Sequence, residues 1–420
     1  MLRSTLGDSV FFKGLTIYLT EHRFQSAEIH DLRLAMEKAS GLDLNGFFNQ
    51  FYLRKGHPKF EFTYTYNEDS KKLSVHTRAL SPDDNEAPLY KLTAELEIFV
   101  RGISTRKKIR IDSLENTFTF DVAEKPYVVV PDPDRTLLWE TEEQKTPEEW
   151  KYQAMHVKNY GLQKQAVLRL LTMADAKETE LGTTDYTDLV NYFFQQPFWA
   201  SRELGLGILA MAPESVKLAY FDKLVDMSLH ESKPVLRIRA LTILTDLRKE
   251  KDIVPVLRAA CNDSSYQVLS EALYMLNAVD NTMALKICSA NESIENSTVR
   301  RAIGHIYSAD TTKDHAEFLV QNIATSKGYE RNSNLMDLED YIKGADPQVA
   351  IKCLQLLKSI RKKSKDEIFG MFYGDLKSYY EEEAAQAEKL LSKINDNPSL
   401  QYELTKKLDY ARKILQFLKD

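Results

Sequence analysis

Three textures of apolar and polar positions succeed one another along the 420 residues. Up to about residue 57, apolar side chains recur at helical spacing. Phe11, Phe12, Leu15 and Leu19 form one stripe, and Asp8 is placed to cap it. A second predicted helix follows Ser26, buries Leu32, Ala35, Met36 and Ala39, and stops at Gly41, where a left-handed residue is needed. Asp43 opens a third, with Phe47, Phe48, Phe51 and Tyr52 crowding one side. Gly56-His57-Pro58 then forces an end to helix, because proline has no amide hydrogen to donate.

From Lys59 to about Glu140 the period becomes two. In Phe60-Glu61-Phe62-Thr63-Tyr64-Thr65-Tyr66 the aromatics alternate, as in a strand with one buried face. Asn67-Glu68-Asp69-Ser70 reads as a turn, and Leu73 to Arg78 as the returning strand. Leu92 to Val100, Lys107 to Ile111, Thr117 to Val122 and Tyr127 to Val130 complete six predicted strands, Arg101-Gly102 separating two of them. Short strands joined by turns predict a small antiparallel sandwich.

Thr146-Pro147-Glu148-Glu149 is a good helix opening, and the remainder is helical to its end. It also repeats. Similar apolar cores recur at Ala166-Val-Leu-Arg-Leu-Leu, Leu206-Gly-Ile-Leu-Ala, Ala240-Leu-Thr-Ile-Leu, Ala272-Leu-Tyr-Met-Leu and Cys353-Leu-Gln-Leu-Leu. The spacing of Leu206, Ala240 and Ala272 is that of a two-helix unit, near the range of HEAT-like α-solenoids, although the interval before Cys353 is long.

Composition narrows the class. A chain that is 43% hydrophobic and 28% charged folds rather than staying disordered, and its length suits two or three domains. With 56 Lys and Arg against 62 Asp and Glu, the net charge of -6 gives no electrostatic case for nucleic acid or an anionic membrane. No apolar run is long enough to span a bilayer. Cys261, Cys288 and Cys353 are widely spaced and read as buried apolar residues, not as disulfides or metal ligands. No signal-peptide pattern follows Met1; were Met1 internal to a longer gene, that would say nothing about compartment. Asn291-Glu-Ser and Asn296-Ser-Thr match the glycosylation sequon, a triplet that chance often produces.

The chain carries no recognisable catalytic or metal-binding motif. A helical His-Glu-x-x-His would put two imidazoles on one face with a Glu to activate water, and none of the eight histidines makes it. His230-Glu231 begins the pattern but reaches Pro234 where the second His belongs. His22 and His30 fall in different helices with no acidic third ligand at a recognisable spacing. There is no Gly-rich phosphate loop and no Gly-x-Ser-x-Gly elbow. Glu142-Glu143 and Glu381-Glu382-Glu383 read as solvated helix faces or helix openings. Arg361-Lys362-Lys363 with Lys365 suits a helix C-terminus, and Phe369, Phe372, Tyr373, Leu376 and Tyr380 follow the spacing of a core stripe.

The first stretch nevertheless resembles a known family. Leu2-Arg3, Leu6-Gly7-Asp8, Phe11-Phe12-Lys13-Gly14-Leu15, Tyr18-Leu19, Leu32, Ser40-Gly41-Leu42-Asp43-Leu44 and Phe47-Phe48-Asn49-Gln50-Phe51-Tyr52 are similar to the gluzincin, aminopeptidase N-like metallopeptidases. His57 departs from the aromatic usual at the step into the sandwich. The resemblance implies a multidomain α+β chain. Residues 1–57 would be the C-terminal helices of a thermolysin-like catalytic domain, 58–140 a β-sandwich and 141–420 a HEAT-like helical C-terminal domain. It implies zinc, bound through His-Glu-x-x-His and a later Glu, only in a missing N-terminal half. The Gly-x-Met-Glu-Asn segment and the catalytic Tyr would lie there too, so no catalytic, metal or substrate-binding residue carries over to this chain. The expected role is that of a non-catalytic C-terminal portion, inactive by itself, whose solenoid encloses the active site of the complete enzyme. Its expected partners are that catalytic half and peptides with a free N-terminus, with no nucleic acid and no membrane span. The alternative is a stand-alone interaction protein with a degenerate aminopeptidase fold.

Overall fold

The computed structural model describes residues 1–81, 89–249, 251–361, 367–393 and 397–419. Its first stretch is helical, as the apolar spacing predicts. Helix α1 (Leu2–Leu6) is tied to α2 (Asp8–Glu21) by Arg3, whose guanidinium donates to both Asp8 carboxylate oxygens at 2.9 and 2.7 Å. With that carboxylate engaged, Gly7 at φ 77° holds the N-cap position instead of Asp8. Helix α3 (Ile29–Ser40) packs on α2 and ends at Gly41, left-handed at φ 71° as required. The two helices meet at Gly14, where a Cβ would stand 2.4 Å from Met36 Sδ. Helix α4 (Asn45–Phe48) runs into a π-helical turn, Asn49–Leu53. The wider turn adds a residue to the period and splits the predicted aromatic stripe: Phe48 is buried and Tyr52 is 61% exposed.

Among the described residues seven strands follow. One sheet has the order β5 (Glu115–Asp121), β2 (Lys72–Ala79), β1 (Lys59–Asn67), β7 (Glu140–Glu143); the other has β4 (Ile103–Ile111), β3 (Leu92–Val100), β6 (Val128–Pro131). Every pairing is antiparallel except β1 with β7, which is parallel, so the first sheet is mixed and not wholly antiparallel as predicted. The sheets share one core in which Phe60, Phe62, Leu73 and Val75 meet Leu96, Ile98, Ile109 and Ile111. Arg101 and Gly102 both take positive φ, 50° and 76°, the geometry that lets a two-residue hairpin follow the strand twist.

Thr146 caps helix α5 (Pro147–His156): its hydroxyl accepts from Glu149 N while the Glu149 carboxylate accepts from Thr146 N. Helices α6 (Tyr160–Asp175), α7 (Thr183–Phe194) and α8 (Trp199–Met211) come next, and α5 packs on α6, α7 and β6. The chain divides into two units, Met1–Ile208 and Leu209–Asp420.

The second unit holds α9 (Glu214–Ala219), α10 (Phe221–His230), α11 (Pro234–Asp246), α12 (Val254–Ala260), α13 (Tyr266–Val279) and α14 (Asn281–Ala290). It continues with α15 (Ser297–Ala309), α16 (Ala316–Thr325), α17 (Gly328–Gly344), α18 (Pro347–Arg361), α19 (Ile368–Leu391) and α20 (Pro398–Lys419). Helices pack on the next but one: α11 on α13, α13 on α15, α15 on α17 and α17 on α19 form one row. In the same way α10 packs on α12, α16 on α18 and α18 on α20. Recurring apolar cores from the sequence, such as Ala240, Leu241 and Leu244 or Ala272, Leu273 and Leu276, are the buried residues of these rows.

Candidate functional site

His22 closes α2 with Nε2 3.9 Å from Asp31 Oδ1, and His30 is exposed on the first turn of α3. The two share no set of ligands. His230 is the last residue of α10 and bonds Asp226 at 3.1 Å; Glu231 already has extended backbone, and Pro234 begins α11. Among the described residues, no three His, Cys, Asp or Glu side chains are placed to hold one metal ion. Burial pushes the thiols of Cys261, Cys288 and Cys353 up to about 12, so none is poised as a thiolate ligand. A protein zinc site takes at least three such donors, and the described residues assemble no such set.

The Gly56-His57-Pro58 step is fixed by charge. Gly56 takes φ 85°, the His57 ring bonds Glu140 Oε1 at 2.7 Å, and Lys59 Nζ lies 2.8 Å from Glu142 Oε1. These two contacts pull a strand of sequence Glu-Thr-Glu-Glu alongside β1. Glu142 and Glu143 therefore lie in a strand, not on a helix face or at a helix opening. Glu381 and Glu382 are exposed on α19, while Glu383 pairs with Lys407. Phe369, Phe372, Leu376 and Tyr380 are buried along α19 as a core stripe. Arg361 sits at the end of α18 over the Tyr373 ring; Lys362, Lys363 and Lys365 lie outside the described residues.

The densest cluster of chemistry joins β7 to α5. Lys145 Nζ lies 2.5 Å from Glu143 Oε2 and 2.7 Å from Gln153 Oε1, and the two charged side chains are 1% and 2% exposed. Tyr64 donates to the same Glu143 oxygen at 3.2 Å, and the ammonium faces the Trp150 ring at 4.8 Å. Burial pulls the Lys145 amine below the usual lysine range against the attraction of Glu143. The same burial, helped by Glu143, raises the Tyr64 phenol well above its ordinary value. An amine with both neighbours fixed is a clamp between sheet and helix, and it borders a cleft of about 750 Å³ that Thr146, Glu149 and Met173 also line. A second cleft, of about 670 Å³, is lined by β7 and by one face of α6.

Comparison with known proteins places the first stretch. Residues 1–51 match the peptidase family M1 domain. A stretch of 88 residues is 33% identical to aminopeptidase N of Haemophilus influenzae, covering 21% of this chain and 9% of that protein. Over 134 residues the chain is 26% identical to aminopeptidase N of Escherichia coli, covering 29% of this chain and 15% of that one. Residues 1–51 are similar to the corresponding region of the aminopeptidase N-like metallopeptidases. Across 99% of its length the chain also has the fold of a Legionella pneumophila aminopeptidase A solved with aspartic acid, at TM-score 0.55 and 13% identity. It spans 53% of that chain, and its matched stretches span no more than 15% of the aminopeptidase N relatives named above.

The aminopeptidase N-like region is seated on the sandwich by Gln50. Its amide accepts from Lys91 N at 2.6 Å and donates to Lys91 O at 3.3 Å, as a neighbouring strand would. In the sequence Gln50 stands out only within a motif, Tyr64 only as one of the alternating aromatics, Glu143 only within a solvated acidic run, and Lys145 not at all. The one signal for the last two was a charged Glu-Glu-Gln-Lys run next to a strong helix cap, where a solvated turn is the ordinary expectation. Among the described residues no helix is long and apolar enough to cross a membrane.

Proposed function

We propose that this chain is the non-catalytic portion of a zinc aminopeptidase that removes N-terminal residues from peptides, and that it is inactive by itself. The observation that carries this reading is the match of residues 1–51 to the peptidase family M1 domain, followed in the same chain by a sandwich and paired helices. In this reading residues 1–57 complete a thermolysin-like catalytic domain, 58–140 are a sandwich spacer, and 141–420 are a HEAT-like solenoid that encloses the active site. The next-but-one packing of α11, α13, α15, α17 and α19 supports the solenoid, because stacked two-helix repeats place equivalent helices side by side. Zinc and the water it activates belong to the N-terminal catalytic half bearing His-Glu-x-x-His, and peptides with a free N-terminus are the substrates of the complete enzyme.

Reconstitution tests the reading. The chain is mixed with a separately produced catalytic portion of this family, and hydrolysis of aminoacyl anilides is followed. The chain alone should be inactive, and the mixture should exceed the catalytic portion alone. Hydrolysis by the chain alone, or a mixture no faster than its catalytic portion, would overturn it.

A further inference from the structure

The cleft of about 670 Å³ beside β7 carries a charge imbalance that the fold does not use. Its carboxylates are all engaged. Glu140 is held by His57, Glu142 by Lys59, and the buried Asp132 accepts from Thr136 N, Thr136 Oγ1 and Leu137 N. Of its four cations only Lys59 is engaged, with Glu142. Arg135, Lys164 and Arg169 line the same cleft and are exposed, and among the described residues none makes an ion pair or side-chain hydrogen bond. The backbone at Arg135 takes φ 53°, a left-handed conformation that a non-glycine residue adopts at some cost, and its guanidinium packs against Gly161. Gly161 is in the first turn of α6 and lines the same space.

The shape narrows the ligand. Gly161, Lys164, Leu168, Arg169 and Thr172 recur along one face of α6 and line the cleft over eleven residue steps, roughly 16 Å at about 1.5 Å per residue. That is the reach of about five residues of extended chain. Leu137 and Trp139 supply apolar surface beside the cations. We infer that this cleft binds an extended acidic segment of a peptide or protein, its carboxylates paired with Arg135, Lys164 and Arg169. The inference does not depend on the chain belonging to a peptidase, since the site contains no reacting group.

An N-acetylated, fluorescently labelled pentaglutamate is the direct probe, because its blocked amine removes any affinity for an aminopeptidase site. Fluorescence anisotropy on the full chain should show saturable binding that weakens as salt is raised. Binding should fall by about tenfold or more in the triple variant Arg135→Gln, Lys164→Gln and Arg169→Gln, each exposed pair contributing a modest factor. Trp139 fluorescence should shift on binding in the wild type. Equal binding of a neutral acetylated pentapeptide, unchanged affinity in the triple variant with a native circular dichroism spectrum, or full competition by millimolar inorganic phosphate would each overturn the proposal. In the last case the cleft is a site for small anions only.

Discussion

Lys145 is a charged residue whose side chain is 1% exposed, and its removal would strand a carboxylate in the same condition. Breaking one partner of a buried pair costs far more than the pair contributes, because the remaining charge is left desolvated. Lys145→Ala should therefore destabilise the first unit by about 3–5 kcal/mol. The double replacement Glu143→Leu with Lys145→Met should cost clearly less. Trp139, Trp150 and Trp199 all lie in the first unit, so denaturation followed by tryptophan fluorescence reads that unit alone. Equal losses in the two variants would contradict the clamp.

A second buried pair is set in the other unit, where His315 Nε2 lies 2.9 Å from Asp310 Oδ2 and its ring stacks on Tyr307 at 3.8 Å. Burial works to raise the Asp310 carboxyl, but hydrogen bonds from His315 and Thr312 outweigh it and hold the group below its ordinary value. An acid whose folded value is depressed adds stability above its unfolded value, about 3.9, and loses it as pH falls through that range. Asp310→Asn should melt below wild type near neutral pH, and the gap should close below about pH 4. A gap independent of pH would show that the carboxylate charge is irrelevant. Neither pair was legible beforehand, since each depends on which two polar residues tertiary packing brings together.

Periodic elements were legible and aperiodic ones were not. Thr146-Pro147-Glu148-Glu149 carries its own capping chemistry, and α5 starts there. Strand β7 has no apolar period of its own and exists because His57, Lys59 and the β1 ladder hold it. The stripe Phe47 to Tyr52 was readable as helix, but the π-turn that re-aims Tyr52 was not. Gly14 shows what the spacing alone conceals, a helix crossing too tight for a Cβ. Gly14→Ala should push α2 off α3 and cost about 1–3 kcal/mol, the range for overpacking. Hydrogen exchange in Asp8–Glu21 and Ile29–Ser40 should accelerate while exchange in the sandwich stays unchanged. Unchanged protection in both helices would mean that Met36 simply moves aside.

Across the whole molecule, apolar surface is unevenly covered. Among the described residues, seven of the twenty-four exposed large hydrophobic side chains fall within residues 1–57: Phe12, Leu19, Phe24, Leu34, Leu42, Tyr52 and Leu53. That density agrees with helices whose apolar faces exceed what α2, α3 and α4 cover among themselves. The family was readable in this stretch because its motif residues are local. The role of the rest was not, since a helical row carries packing information and little chemistry. The most direct measurement is zinc content after equilibrium dialysis of the full chain, with aminoacyl-anilide hydrolysis read on the same sample. The account predicts no stoichiometric zinc and no hydrolysis. One zinc per chain with turnover would contradict it.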